Sequence, residues 1–253
     1  MPRGPRKHSE QGFYHVIIKG AGNQVIFEDE ADYEEFLRIM GRARDKFSLV
    51  VLAWCLMSNH VHLLVEDTEE ELSRYVHFVS TTYARHFNER WGHVGHVFLS
   101  RFKSVPIGSD AQLLVTLRYV LRNPSKAGMA DHRSYRWSSY SEYVGSVPAD
   151  LSETSLLLDM LDGVSGFLRF VNDPEAAPYY PRTSARIPDE DAKEAASAAI
   201  WPEPLDGLKA LPSEKRATHL RRLGEAGLSI KQIGRLTGLG RYVIEKALHQ
   251  KSV

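Results

Sequence analysis

A chain of 253 residues with 43% hydrophobic content and no net charge holds enough apolar material for one sizeable domain and a smaller one. Its one cysteine, Cys55, excludes an internal disulfide, and the absence of a long apolar run argues against secretion or a membrane span and for a cytoplasmic protein. The neutral total hides a division along the chain: 18 basic against 17 acidic residues in 1–145, 4 against 10 in 146–201, and 10 against 5 in 202–253.

Residues 1–11 mix Pro2, Gly4 and Pro5 with Arg3, Arg6 and Lys7, which predicts a mobile basic arm. Residues 13–18 form a first strand, with His15 inside it, and 20–23 its turn. Asp29 or Asp32 starts a helix whose apolar residues Phe36, Leu37, Ile39 and Met40 follow a helical period, ending near Lys46. Residues 48–56 are a second strand, where Cys55, set among Trp54, Leu56 and Met57, is a small buried hydrophobe rather than a nucleophile. The tight turn Met57-Ser58-Asn59 leads into a third strand, which predicts a hairpin. Side chains two apart on a strand share a face, so His60 and His62 point together and Val61 points away. Either the two imidazoles are half of a metal site, or they are polar residues hydrogen-bonded at the start of a strand.

A second helix over 69–88 carries Leu72, Val76, Val79, Tyr83 and Phe87 on one face. Gly92 and Gly95 mark a loop, and residues 101–107 alternate as a fourth strand whose Pro106 belongs at a sheet edge or terminus. The local excess of Arg85, Arg90, Arg101 and Lys103 over Glu89 suits either a phosphate backbone or a solvated helix face. Ser109 or Asp110 caps a third helix running from Ala111 to about Arg122, where Pro124 should end it. The order β-α-β-β-α-β-α predicts an α+β fold, a ferredoxin-like antiparallel sheet with helices packed on one face. Tyr119 and Asn123, four apart, share a side of the third helix, as a nucleophile with an amide ligand or as a core aromatic with a turn residue.

Tyr135, Trp137, Tyr140 and Tyr143 lie amid serines, as a segment closing the domain against its core or as a base-stacking surface. Domain boundaries are therefore placed at 1–145, a linker-like region at 146–204 with one amphipathic stretch (156–161) and Pro174, Pro178, Pro181 and Pro188, and a helical unit at 205–253. In that unit a helix from near Ser229, a turn at Gly238-Leu239-Gly240 and a second helix bearing Arg241, Lys246 and His249 follow the helix-turn-helix plan, or else a plain packing hairpin.

His60-Val61-His62 followed by a helix with Tyr119 and Asn123 resembles the HUH single-tyrosine transposases, most closely the REP-associated tyrosine transposases. Phe13-Tyr-His-Val16, Leu56-Met-Ser-Asn-His-Val-His-Leu63, Arg101-Phe-Lys-Ser104 and Arg118-Tyr-Val-Leu-Arg-Asn-Pro-Ser-Lys-Ala-Gly128 stand in family order over residues 11–145. The resemblance implies a divalent metal, Mg2+ or Mn2+, held by His60, His62 and Asn123. It also implies attack by Tyr119 on single-stranded or hairpin DNA to give a 5′-phosphotyrosine. Arg101, Lys103, Arg118 and Arg122, with Arg241 and Lys246 of the tail, are the expected DNA contacts. The protein is expected to be a monomer or homodimer without a membrane partner. Two other functions fit the same residues: a DNA-binding regulator that does not cut, and a phosphoesterase whose histidines activate water.

Overall fold

The computed structural model describes residues 8–99, 101–177, 179–181, 187, 189 and 191–249, so residues 1–7 of the expected basic arm lie outside the described residues. The chain divides into two compact units, 1–173 and 174–253. In the first, β1 (Phe13–Lys19), α1 (Glu30–Arg44), β2 (Val50–Met57), β3 (His60–Glu66), α2 (Leu72–Trp91) and β4 (Lys103–Pro106) precede α3 (Asp110–Lys126). The sheet order is β2-β3-β1-β4 with every neighbouring pair antiparallel, the ferredoxin-like arrangement. β2 and β3 are joined through Ser58 and Asn59 alone.

The face of each strand follows from the period of two, with one interruption. Val51 pairs with Val65 and Ala53 with Leu64, so Leu52 is an extra residue in β2. This bulge lets Trp54 and Leu56 join Val61, Leu63 and Val65 on one face while Ala53, Cys55 and Met57 turn to the other. The first face is closed by α1 and α2 through Phe36, Ile39, Met40, Val76, Val79 and Tyr83, the helix layer expected. The second face is covered too: Leu113, Leu117, Val120 and Leu121 of α3 pack on Leu52, Cys55 and Leu64. Burial pushes the Cys55 thiol far above its ordinary pKa, consistent with a packing role.

Two expectations are corrected here. Pro124 does not end α3, which continues to Lys126. Proline removes one N–H and disfavours the preceding residue's helical torsions, yet the last turn is held by Ala127 N–H to Asn123 O and Met129 N–H to Pro124 O. Nor is 146–173 a linker. After the short α4 (Tyr140–Tyr143), α5 (Ser155–Met160) and α6 (Gly163–Val171) place Leu157, Leu161, Phe167 and Val171 in the second-face core. The turn between them passes so close to α6 that a Cβ on Gly166 would collide with the Leu161 carbonyl oxygen. Phe167 stacks on Tyr143 with centroids 4.8 Å apart. Phe167→Ala is therefore expected to destabilise the first unit by about 3–5 kcal/mol, the cost of truncating a buried aromatic. Denaturant unfolding followed on residues 1–173 measures it; a change below about 1 kcal/mol would return this region to a linker.

The second unit contains α7 (Ala192–Ile200), α8 (Ser213–Glu225), α9 (Ile230–Thr237) and α10 (Arg241–His249) around Ala196, Ile200, Leu220, Leu223, Ile233 and Ile244. Its extent also departs from the expected boundary at 205, because Ile187 and α7 supply core residues. Ser229 and Gln232 form a reciprocal capping box at the start of α9, and Gly238 ends it at φ 64°. Among the described residues no helix is long and apolar enough to cross a membrane.

Candidate active site

β3 leaves the two-residue turn with His60 and His62 on the sheet face that α3 covers, and their Nε2 atoms stand 3.0 Å apart. Each ring is held from its other nitrogen. His60 Nδ1 lies 2.6 Å from Asn59 Oδ1, and His62 Nδ1 lies 3.0 Å from Nε2 of His15. His15 reaches His62 because Ile17 is the direct partner of His62 in the β1–β3 register, which puts His15 on the diagonal of the same face. Lys19 pairs directly with His60.

These imidazoles are neutral at physiological pH. Burial lowers His15 to about 3, with the His60 charge adding to the effect. Burial and then the nearby Lys19 ammonium lower His60 to about 4. His62 is pushed well below the ordinary histidine value, first by burial and then by its two histidine neighbours. Neutral rings offer lone pairs, and partners at both Nδ1 atoms favour protons there, leaving the facing Nε2 atoms as acceptors.

From α3, Tyr119 meets the cluster edge-on, its ring centroid 5.5 Å from that of His15 and 5.6 Å from that of His62. One turn on, Asn123 is buried and donates from Nδ2 to the Tyr119 carbonyl at 2.9 Å, its side chain near enough to bear on the His62 ring. Because α3 runs through Pro124, Lys126 falls on the same side as Tyr119 and Asn123, and its Nζ stands 4.4 Å from the Tyr119 ring centroid. The structure thus brings His60, His62, Tyr119 and Asn123 together.

The donor set fits a divalent ion. Two nitrogens each about 2.1 Å from one ion at a right angle are about 3.0 Å apart, which is the observed Nε2 separation. His15 directs its Nε2 at His62 rather than at that shared point. Its place would be behind His62, fixing that ring if it holds an ion, and the Asn123 amide would be the third donor.

The basic residues are dispersed. Lys103 pairs with Ile17, so it shares the histidine face two strands from His62, about 10 Å across the sheet. Arg101 is exposed just before β4. Arg118 lies over the Phe170 ring at 4.6 Å and Arg122 donates to the Asp173 carbonyl at 2.9 Å, so both guanidinium groups also serve packing. Arg241 is exposed on α10 in an ion pair with Glu245, and Lys246 is exposed. His15, Lys19 and Lys126 were absent from the sequence-predicted site. The first two depend on strand register, and the third was lost when the helix was ended at Pro124.

Residues 8–123 match the family described as "Transposase IS200 like". Among solved structures, a REP-associated tyrosine transposase bound to a REP hairpin is 15% identical, with a TM-score of 0.49 over 59% of this chain and 90% of that one. A candidate transposase from Deinococcus radiodurans R1 is 16% identical, with a TM-score of 0.34 over 52% of this chain and 99% of that one. No curated protein matches the chain.

Proposed function

We propose, on the match of residues 8–123 to the family described as "Transposase IS200 like", that the first unit cuts and rejoins single-stranded DNA through a covalent bond to Tyr119. The observation that carries this reading is the seat of Tyr119, edge-on to His15 and His62 beside the converging Nε2 atoms of His60 and His62. In the reaction, Tyr119 Oη attacks phosphorus in line, the bond from phosphorus to the 3′-oxygen breaks, and the leaving oxygen takes up a proton. The phosphate stays on the tyrosine as a 5′-phosphotyrosine. Because one phosphoester replaces another, the freed 3′-hydroxyl can reverse the step without ATP.

A divalent ion, Mg2+ or Mn2+, held by His60, His62 and Asn123 would polarise a non-bridging oxygen and stabilise the departing one. The chain does the rest. His15 and Asn59 fix the ring orientations, and the edges of His15 and His62 fix the tyrosine. The test is incubation of a 3′-labelled single strand, containing a hairpin from the protein's genomic neighbourhood, with magnesium or manganese. Denaturing electrophoresis should show the label linked to protein. Cleavage without a linked species at any time would favour activated water instead.

The second unit supplies duplex or hairpin affinity in this reading. Its α9–turn–α10 segment presents Arg241, Tyr242 and Lys246 on the exposed side of α10, in the position of a recognition helix. Removing 174–253 is expected to weaken hairpin binding about 10-fold or more at one fixed salt concentration, while a short single strand is still cut. Equal affinity before and after removal would assign this unit to packing.

A further inference from the structure

The reacting phosphate gains negative charge as the tyrosine oxygen adds, and the rings that meet the tyrosine edge-on are the imidazoles of His15 and His62. Lys126 is the charged group on the tyrosine itself. Its ammonium stands 4.4 Å from the ring centroid, the position of a cation over an aromatic face. The phenol oxygen lies in the plane of its ring, so a cation over the face stands off the axis of in-line attack. From there it can reach a non-bridging oxygen of the phosphate without blocking the approach.

The placement depends on the irregular end of α3. A helix stopped at Arg122 would carry no residue seven beyond Tyr119, whereas the turn past Pro124, closed by Ala127 N–H to Asn123 O, sets Lys126 one turn beyond Asn123. Lys126 is exposed, so its ammonium is open to a bound strand. We infer that Lys126 is a catalytic residue of the proposed strand cleavage, donating from its ammonium to a non-bridging oxygen of the phosphate that Tyr119 attacks. This rests on the reading of Tyr119 as the nucleophile.

The experiment is single-turnover adduct formation by the full chain, with saturating protein over labelled strand, alongside a separate binding titration of the same strand. Lys126→Met keeps the stem and removes the charge. Adduct formation should fall about 100-fold, the usual cost of one oriented donor to a developing oxyanion, while strand affinity changes less than about threefold. Lys126→Arg should recover most of the rate, because the cation is kept. The inference is overturned if Lys126→Met forms adduct within threefold of the native rate. It is equally overturned if the loss disappears at saturating protein, or if Lys126→Arg is as slow as Lys126→Met. Tyr119→Phe is the control that separates the two ideas. Adduct in the native chain, none in Tyr119→Phe and a native rate in Lys126→Met would leave the nucleophile standing and remove Lys126, whereas no adduct in the native chain removes both.

Discussion

Tyr119→Phe is expected to eliminate the protein–DNA adduct and to lower strand cleavage by on the order of 10⁴–10⁶-fold, the scale seen when a covalent nucleophile is removed. The substitution deletes one oxygen from a half-buried side chain and preserves the ring that meets His15 and His62. Fold and strand affinity should therefore be unchanged, with a thermal midpoint within about 2 °C of the native protein. The competing tyrosine on α2, Tyr83, is fully buried, its hydroxyl donates to the Ile26 carbonyl, and burial drives its pKa far up. It has neither access to a phosphate nor a means to ionise. An adduct that survives in Tyr119→Phe would overturn the assignment, and mapping the linked peptide would name the residue responsible.

The parts of this fold legible in the sequence were those set by local periods. The 2.0 period of 60–66 and the helical spacing from Leu72 to Phe87 located β3 and α2 within a few residues, and the tight turn at Met57-Ser58-Asn59 predicted the hairpin of β2 with β3. The alternation also placed His60 and His62 together, which the 3.0 Å separation bears out as geometry. What was not legible depends on contacts distant in sequence. His15 matters only because β1 lies beside β3 with Ile17 opposite His62; a shift of one residue in that pairing would turn His15 to the other face. The bulge at Leu52 likewise has no signature of its own in an apolar run.

Two misreadings have local causes. The amphipathic stretch at 156–161 is α5, but α5 and α6 are only six and nine residues long, and the prolines from 174 onward dominate the composition of the region, so it read as a linker. Their helicity is supplied by tertiary burial of Leu157, Leu161, Phe167 and Val171. Pro124 was given the force of a stop, but the helix tolerates it close to its end, where few carbonyls depend on the missing N–H. That error concealed Lys126, whose ammonium stands over the tyrosine ring.

The second large effect concerns the histidine pair, and its readout is stability rather than cleavage. An ion that binds the folded protein alone stabilises it by about 2.7 kcal/mol at a hundredfold excess over the dissociation constant. Manganese should therefore raise the thermal midpoint of the native chain, and His60→Ala and His62→Ala should each abolish that rise. The two variants should differ without metal. His60 is half-buried and bonded to Asn59, so its loss should cost little. His62 is 3% exposed and is the partner of His15 Nε2, while His15 Nδ1 already lacks a partner. Its removal leaves His15 buried with both nitrogens unsatisfied, at a cost of about 1–3 kcal/mol beyond the lost packing. The expected pattern is a small drop for His60→Ala, a larger one for His62→Ala, and a midpoint insensitive to manganese in both. A full manganese response in either variant would remove that histidine from the ligand set, and a native response in both would leave the 3.0 Å approach as an ordinary hydrogen bond between two imidazoles.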